Sequence, residues 1–166
     1  AFLWWYIDLV DTDGSGAVCI WSYGLPFSPG LAAQARKGQA LPPQEKPGWN
    51  LVVYRDHKPI FYTLQEFRPE DCSWDREGQV WTMGKTSFRR TTVDGHVHVD
   101  IDFDCELTGV PDRLTGSLNL VGPLRKEDEA HPKDDRFDLS RAAGHTWEPI
   151  ALGGANAKLA LTMGEW

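Results

Sequence analysis

The strictest pattern in this chain is an alternation of apolar and ionisable residues from His96 to Leu107. Every odd-numbered position in this segment is apolar, and every even-numbered position is a histidine, an aspartate or a glutamate. Because successive side chains of a β-strand point to opposite faces of the sheet, this period of two predicts a long strand with one buried and one wet face. The predicted buried face consists of Val97, Val99, Ile101, Phe103, Cys105 and Leu107.

Shorter segments repeat the strand signal along the chain. Two aromatic-rich runs at 3–10 and 17–24 are separated by Asp11–Gly16, whose aspartates and glycines favour a β-hairpin. Further strands are predicted at 49–55, 59–65, 80–91, 114–121 and 157–163. Many short antiparallel strands with turns between them favour a barrel or a sandwich, and a barrel of about eight strands can hold one small ligand.

One segment, 28–38, carries the signals of a short helix. Ser28 can cap the first amides, Pro29 suits the first helical position, and Gly38 suits the left-handed end. A later segment, 125–136, carries charges of both signs and is predicted to be an exposed loop. We therefore expect an all-β domain of about eight to ten strands with one short helix.

Length and charge limit the possible functions. A chain of 166 residues fits a single domain, here 1–166, with a sizeable core. Its net charge of −7 disfavours nucleic acid as a partner, because binding to phosphates depends on clustered Lys and Arg. No stretch approaches the roughly 20 apolar residues of a membrane-spanning helix, so we predict no membrane span.

Two possible metal sites can be weighed from ligand chemistry. His96, His98 and Asp100 share one face of the predicted strand, but a solvated outer face explains them more simply. The Asp11–Gly14 segment resembles the start of a calcium loop but lacks the later oxygen ligands that such a loop needs. We predict no metal site.

The three cysteines leave the disulfide state open. Cys19 and Cys105 lie in strand-like runs where a buried thiol is usual, and Cys72 lies outside them. A disulfide between two of the three is possible from sequence.

The first predicted strand presents two different faces. Trp4, Tyr6 and Asp8 share one face, whereas Trp5 and Ile7 share the other. One interpretation is that both faces are buried in a core, because aromatic residues are enriched in strands. The alternative is that one face is an aromatic surface carrying an acid.

Five motifs in this order resemble the carotenoid 1,2-hydratase (hydroxyneurosporene synthase) family and span nearly the whole chain. They are Trp4-Trp5-Tyr6-Ile7-Asp8, Phe27-Ser28-Pro29, Gly84-Lys85-Thr86-Ser87-Phe88, Leu114-Thr115-Gly116-Ser117-Leu118 and His145-Thr146-Trp147-Glu148-Pro149. The resemblance implies a lipocalin-like fold, either a barrel or a strongly curved sheet. It also implies that the chain corresponds to the first of two lipocalin-like domains.

The resemblance implies an activity as well: hydration or cyclisation of a hydrophobic isoprenoid or polyene substrate without a cofactor. Such chemistry begins with protonation of a C=C bond by an acid in an apolar pocket, and aromatic faces stabilise the resulting cation. The candidate catalytic residues are Asp8, Tyr6 and Glu66. The candidate substrate-binding residues are Trp4, Trp5, Trp21, Tyr23, Phe27, Tyr54 and Tyr62.

Two other functions stay open. The same fold and aromatic residues suit a non-catalytic module that binds an apolar small molecule. They also suit an interaction domain whose exposed aromatic residues contact a second lipocalin-like domain or another subunit. We expect a cytoplasmic protein, with a peripheral position at the membrane and a periplasmic location as alternatives.

Overall fold

The computed structural model describes residues 3–24, 28–39, 42–75, 79–107, 112–124 and 155–163. Within these ranges, ten strands form two antiparallel sheets, and there is one α-helix. The predicted all-β fold is therefore confirmed. Among the described residues the two sheets do not join into a closed barrel, which is consistent with the strongly curved, lipocalin-like sheet given above as the alternative to a barrel.

The first four strands form the front sheet, in which each strand pairs with the next one along the chain. They are β1 (Leu3–Val10), β2 (Gly16–Tyr23), β3 (Pro47–Arg55) and β4 (Lys58–Glu66). The predicted hairpin between β1 and β2 is confirmed, and the carboxylates of its turn accept backbone N–H groups. Asp11 Oδ1 accepts the N–H of Thr12 at 2.6 Å, and Asp13 Oδ1 accepts that of Ser15 at 2.7 Å.

The remaining six strands form the back sheet, in the order β10-β9-β8-β7-β6-β5. They are β5 (Cys72–Asp75), β6 (Val80–Met83), β7 (Thr86–Val93), β8 (His96–Glu106), β9 (Arg113–Pro123) and β10 (Asn156–Met163). The strand predicted at 80–91 is thus two strands, divided by a turn at Gly84, whose φ of 61° suits glycine. The four-residue strand β5 was not predicted, and the loop predicted at 125–136 lies outside the described residues.

The helix α1 (Pro29–Arg36) confirms the predicted segment, with Pro29 in its first turn. The predicted cap is wrong, because the Ser28 side chain makes no capping hydrogen bond. Glu66 on β4 replaces it: its Oε1 accepts the N–H of Gly30 at 2.8 Å. This contact fixes the start of α1 against the end of the front sheet. Two single-turn 3₁₀ helices, Pro43–Glu45 and Pro69–Asp71, complete the described helical turns.

The two sheets meet at a layer of indole rings, here called the tryptophan layer. It consists of Trp5, Trp21 and Trp49 from the front sheet and Trp74 and Trp81 from the back sheet. The ring centroid of Trp5 lies 4.9 Å from the centroids of both Trp74 and Trp81. Trp21 and Trp49 are fully buried, so side chains fill the space between the sheets at this level.

The buried and exposed faces of β8 are the ones that its alternating sequence predicts. Val97, Val99, Ile101, Phe103 and Cys105 are buried, and Leu107 packs against the same core while partly exposed. On the outer face, Asp100 accepts a hydrogen bond from Asn119 Nδ2 at 2.8 Å, and Asp104 pairs with Arg113. The outer face of the back sheet is therefore polar.

Candidate functional site

A cleft of about 270 Å³ lies next to the tryptophan layer. Leu3 and Tyr23, which are paired at the open ends of β1 and β2, line one side of it. Cys72, Ser73 and Trp74 of β5 line the opposite side. Gln44 and Pro69, from the two 3₁₀ helices, complete the lining. The cleft therefore lies between one end of the front sheet and the edge strand of the back sheet.

Aromatic rings enclose the inner end of this cleft. The Trp5 centroid lies 6.4 Å from that of Tyr23, with the rings nearly perpendicular, and 4.9 Å from that of Trp74. Trp74 in turn stacks on Trp81 at 6.4 Å with an interplanar angle of 17°. Because these rings pack on one another, the walls of the cleft are held by the core itself. Rigid aromatic walls of this kind are common in small-molecule sites.

The titratable groups in the cleft are uncharged at neutral pH. Burial raises the pKa of the Tyr23 phenol, and the neighbouring Cys72 raises it further. Burial also raises the pKa of the Cys72 thiol to about 11. Because a thiol with this pKa remains protonated at pH 7, Cys72 acts as a small apolar wall residue and not as a nucleophile.

A second, larger cleft of about 390 Å³ adjoins the first. Cys72 and Ser73 line both clefts. The remaining lining is polar or small, with Glu70, Asp71, Thr82, Gly84 and Lys85. Ser73 Oγ and Thr82 Oγ1 are hydrogen-bonded at 2.6 Å. The two adjoining clefts, here called the groove, thus differ in lining: the first is mainly apolar and the second is more polar.

The residues predicted as a site divide between the two faces of the front sheet. The inner face, towards the back sheet, carries Trp5, Trp21 and Tyr23. The outer face carries Trp4, Tyr6, Asp8, Tyr54, Tyr62 and Glu66. Phe27 lies outside the described residues. Of the predicted set, Tyr23 lines the smaller cleft, Trp5 contacts two of its wall residues, and Trp21 is a core residue with 1% exposure.

The two candidate acids are far apart. Asp8 lies on β1 in register with Val18 of β2, whereas Glu66 lies on β4 at the opposite edge of the sheet. Neighbouring strands are about 4.8 Å apart, so three spacings separate the two strands by about 14 Å. Glu66 is in addition held by the Gly30 N–H. The structure therefore does not bring Asp8 and Glu66 together as an acid–base pair.

The described residues hold no group of three or more His, Cys, Asp or Glu side chains arranged to bind a metal ion. Among the possible ligands on β8, His96 Nδ1 lies 3.0 Å from the Asp94 carbonyl oxygen, and Asp100 accepts a hydrogen bond from Asn119.

All three cysteines are free thiols, so the disulfide that the sequence left open is not formed. Cys19 and Cys105 are buried, and Cys72 is half-buried.

Most residues that line the two clefts were not predicted as site residues. The cleft wall depends on β5, which is too short to show a periodic pattern. The only sequence signal for it is the alternation Cys72-Ser73-Trp74-Asp75, which follows Pro69-Glu70-Asp71. A tryptophan in such a short run gives no indication of whether it faces the core or a ligand.

In the described ranges, every helix is too short or too polar to traverse a lipid bilayer. Comparisons of the chain with protein-family models, with curated proteins and with solved structures find no match.

Proposed function

We propose that this protein binds a hydrophobic small molecule, with isoprenoid and polyene chains as the leading class, in the smaller cleft. One observation carries the proposal: Tyr23 and Trp74 face a cleft whose titratable groups are uncharged at neutral pH. An apolar ligand there gains roughly 25 cal/mol for each Å² of apolar surface removed from water. Aromatic side chains supply much of that surface at a low cost in conformational entropy.

Hydration or cyclisation of such a ligand is a second proposal, motivated by the resemblance to the hydratase family. It needs an acid beside the bound double bond, in a place from which water is excluded. Asp8 is exposed on the face of the front sheet that points away from the cleft, and Tyr6 shares that face. Glu70 and Asp71 border the adjoining cleft and are the acids nearest to it, but both are exposed to water. Binding is the better supported function, because it needs no acid at all.

Farnesol, an isoprenoid alcohol, is a suitable probe, with tryptophan fluorescence as the readout. We expect saturable quenching, because Trp5, Trp74 and Trp81 lie at or next to the cleft. The Trp74→Ala variant should bind about tenfold more weakly, which is the order of effect for losing one aromatic wall. The matched control is Trp4→Ala, which removes an indole from the opposite face of the front sheet and should leave the dissociation constant unchanged.

The control decides where the ligand binds. Equal weakening by Trp4→Ala and Trp74→Ala would contradict binding in the cleft. Since Trp74→Ala also removes a core contact, Gln44→Trp provides a second variant. Gln44 is exposed at the rim of the cleft, so an indole there should obstruct entry while leaving the core intact.

The outer face of the front sheet supports a third proposal, an interface with a second domain or another subunit. Val10 is 83% exposed, and Tyr62 is 58% exposed on the same face. The outer face of the back sheet carries polar groups such as Asp100 and Asn119 instead. An absence of quenching by farnesol would favour this surface as the functional one.

A further inference from the structure

The two adjoining clefts of the groove beside β5 have chemically different linings. Cys72 and Ser73 form the wall that the clefts share. At the first end, Tyr23 and Trp74 present rings, and Leu3 presents an aliphatic side chain. Because the ring faces and the Leu3 side chain are apolar, they match the hydrocarbon part of a ligand.

The second end of the groove is charged. Glu70 and Asp71 contribute two carboxylates, and Lys85 contributes one ammonium group. None of the three forms an ion pair with another described residue. Burial is the main cause of the raised Cys72 pKa. The negative charges of Asp71 and Glu70 raise that pKa further. Both carboxylates therefore act electrostatically on the wall that the two clefts share.

We infer that the ligand is amphipathic, with an apolar body at the Tyr23–Trp74 end and a non-anionic, hydrogen-bond-donating head at the Glu70–Asp71 end. This inference rests on the proposed binding function and specifies its ligand. Carboxylates accept hydrogen bonds and attract cations, so a hydroxyl or ammonium head is favoured there. An anionic head would meet two like charges against one opposite charge, in a protein with a net charge of −7.

Three probes with the same chain length test this inference at pH 7: dodecylamine, dodecanol and dodecanoate, each below its solubility limit and, for the two ions, below the micelle concentration. We expect dodecylamine to bind about tenfold more tightly than dodecanoate, which is the order expected for partly screened charges. Dodecanol should bind between the two. In the double variant Glu70→Gln/Asp71→Asn, the advantage of the amine over the acid should fall to about twofold. In Lys85→Gln the advantage should increase, because the one attractive charge for an anion is removed.

A matched control separates the groove from the overall charge of the protein. The double variant Asp56→Asn/Asp102→Asn changes the net charge by the same amount at exposed positions outside both clefts. It should leave the preference for the amine unchanged. The inference is overturned if dodecanoate binds as tightly as dodecylamine, or if the two double variants reduce the preference equally. In either case binding in the cleft still stands, whereas failure of all three probes to bind would overturn the proposed function as well.

Discussion

Replacing Trp49 by alanine is expected to lower the free energy of unfolding by about 3–5 kcal/mol, the range for removing a large aromatic side chain from a core. Trp49 is 0% exposed and lies between Trp21 on β2 and Gln65 on β4. Its ring centroid is 5.6 Å from that of Phe103, so it connects the two sheets. Urea unfolding followed by far-ultraviolet circular dichroism measures the effect without relying on tryptophan emission.

The matched control for this variant is Tyr62→Ala, on the outer face of the same sheet. Tyr62 is 58% exposed, so its loss should change the free energy of unfolding by about 0.5 kcal/mol or less. Similar costs for the two variants would contradict the assignment of inner and outer faces. If Trp49→Ala does not fold, Trp49→Phe retains an aromatic ring and should still cost more than Tyr62→Ala.

Replacing Gly116 by alanine is expected to cost about 3 kcal/mol, the upper part of the range for overpacking. Gly116 lies in β9 opposite Leu161 of β10. A Cβ atom at this position would overlap the carbonyl oxygen of Ala160 and lie 2.9 Å from the Leu161 Cα. Because both obstacles are backbone atoms, β10 must shift to make room. Thermal and urea unfolding of the variant measure the cost.

Gly38→Ala is the control for the general effect of replacing a glycine. Gly38 has a φ of 70°, and a Cβ atom there meets nothing within 4 Å. Only the left-handed backbone conformation at position 38 disfavours alanine, and it should lower the free energy of unfolding by about 1 kcal/mol. If Gly38→Ala costs as much as Gly116→Ala, close packing between β9 and β10 is not the reason for glycine at position 116.

The fold was predictable because its long strands carry their own pattern. In β8, eleven residues alternate without exception, so both the strand and its buried face follow from the sequence. The strands β5 and β6 have four residues each, which is too few to show a period of two. For this reason β5 was not predicted, and β6 was predicted as one strand together with β7. The Ser28 cap failed for a different reason. Glu66, 36 positions after Gly30, accepts the N–H of Gly30 instead, and only the tertiary structure reveals such a partner.

The candidate site was less predictable than the fold. The alternation in β1 correctly separates Trp5 from Trp4, Tyr6 and Asp8, but it does not indicate which face meets the second sheet. Pairing with β2 and packing against Trp74 decide that question, and both involve residues distant in sequence. The cleft itself forms where the ends of β1 and β2 meet the edge strand β5, so no single segment encodes it.

The most direct test of the proposed binding site is protection of Cys72 from alkylation. At pH 8 a thiol with a pKa of about 11 is only about one part in a thousand thiolate, so iodoacetamide should react slowly and measurably. Mass spectrometry can follow Cys72 separately from Cys19 and Cys105, which are buried and report opening of the whole fold. Saturating farnesol is expected to slow Cys72 alkylation about tenfold, as a bound ligand that covers the thiol must. If farnesol saturates the fluorescence change while Cys72 reacts at its original rate, the ligand binds elsewhere and the account of the cleft is wrong.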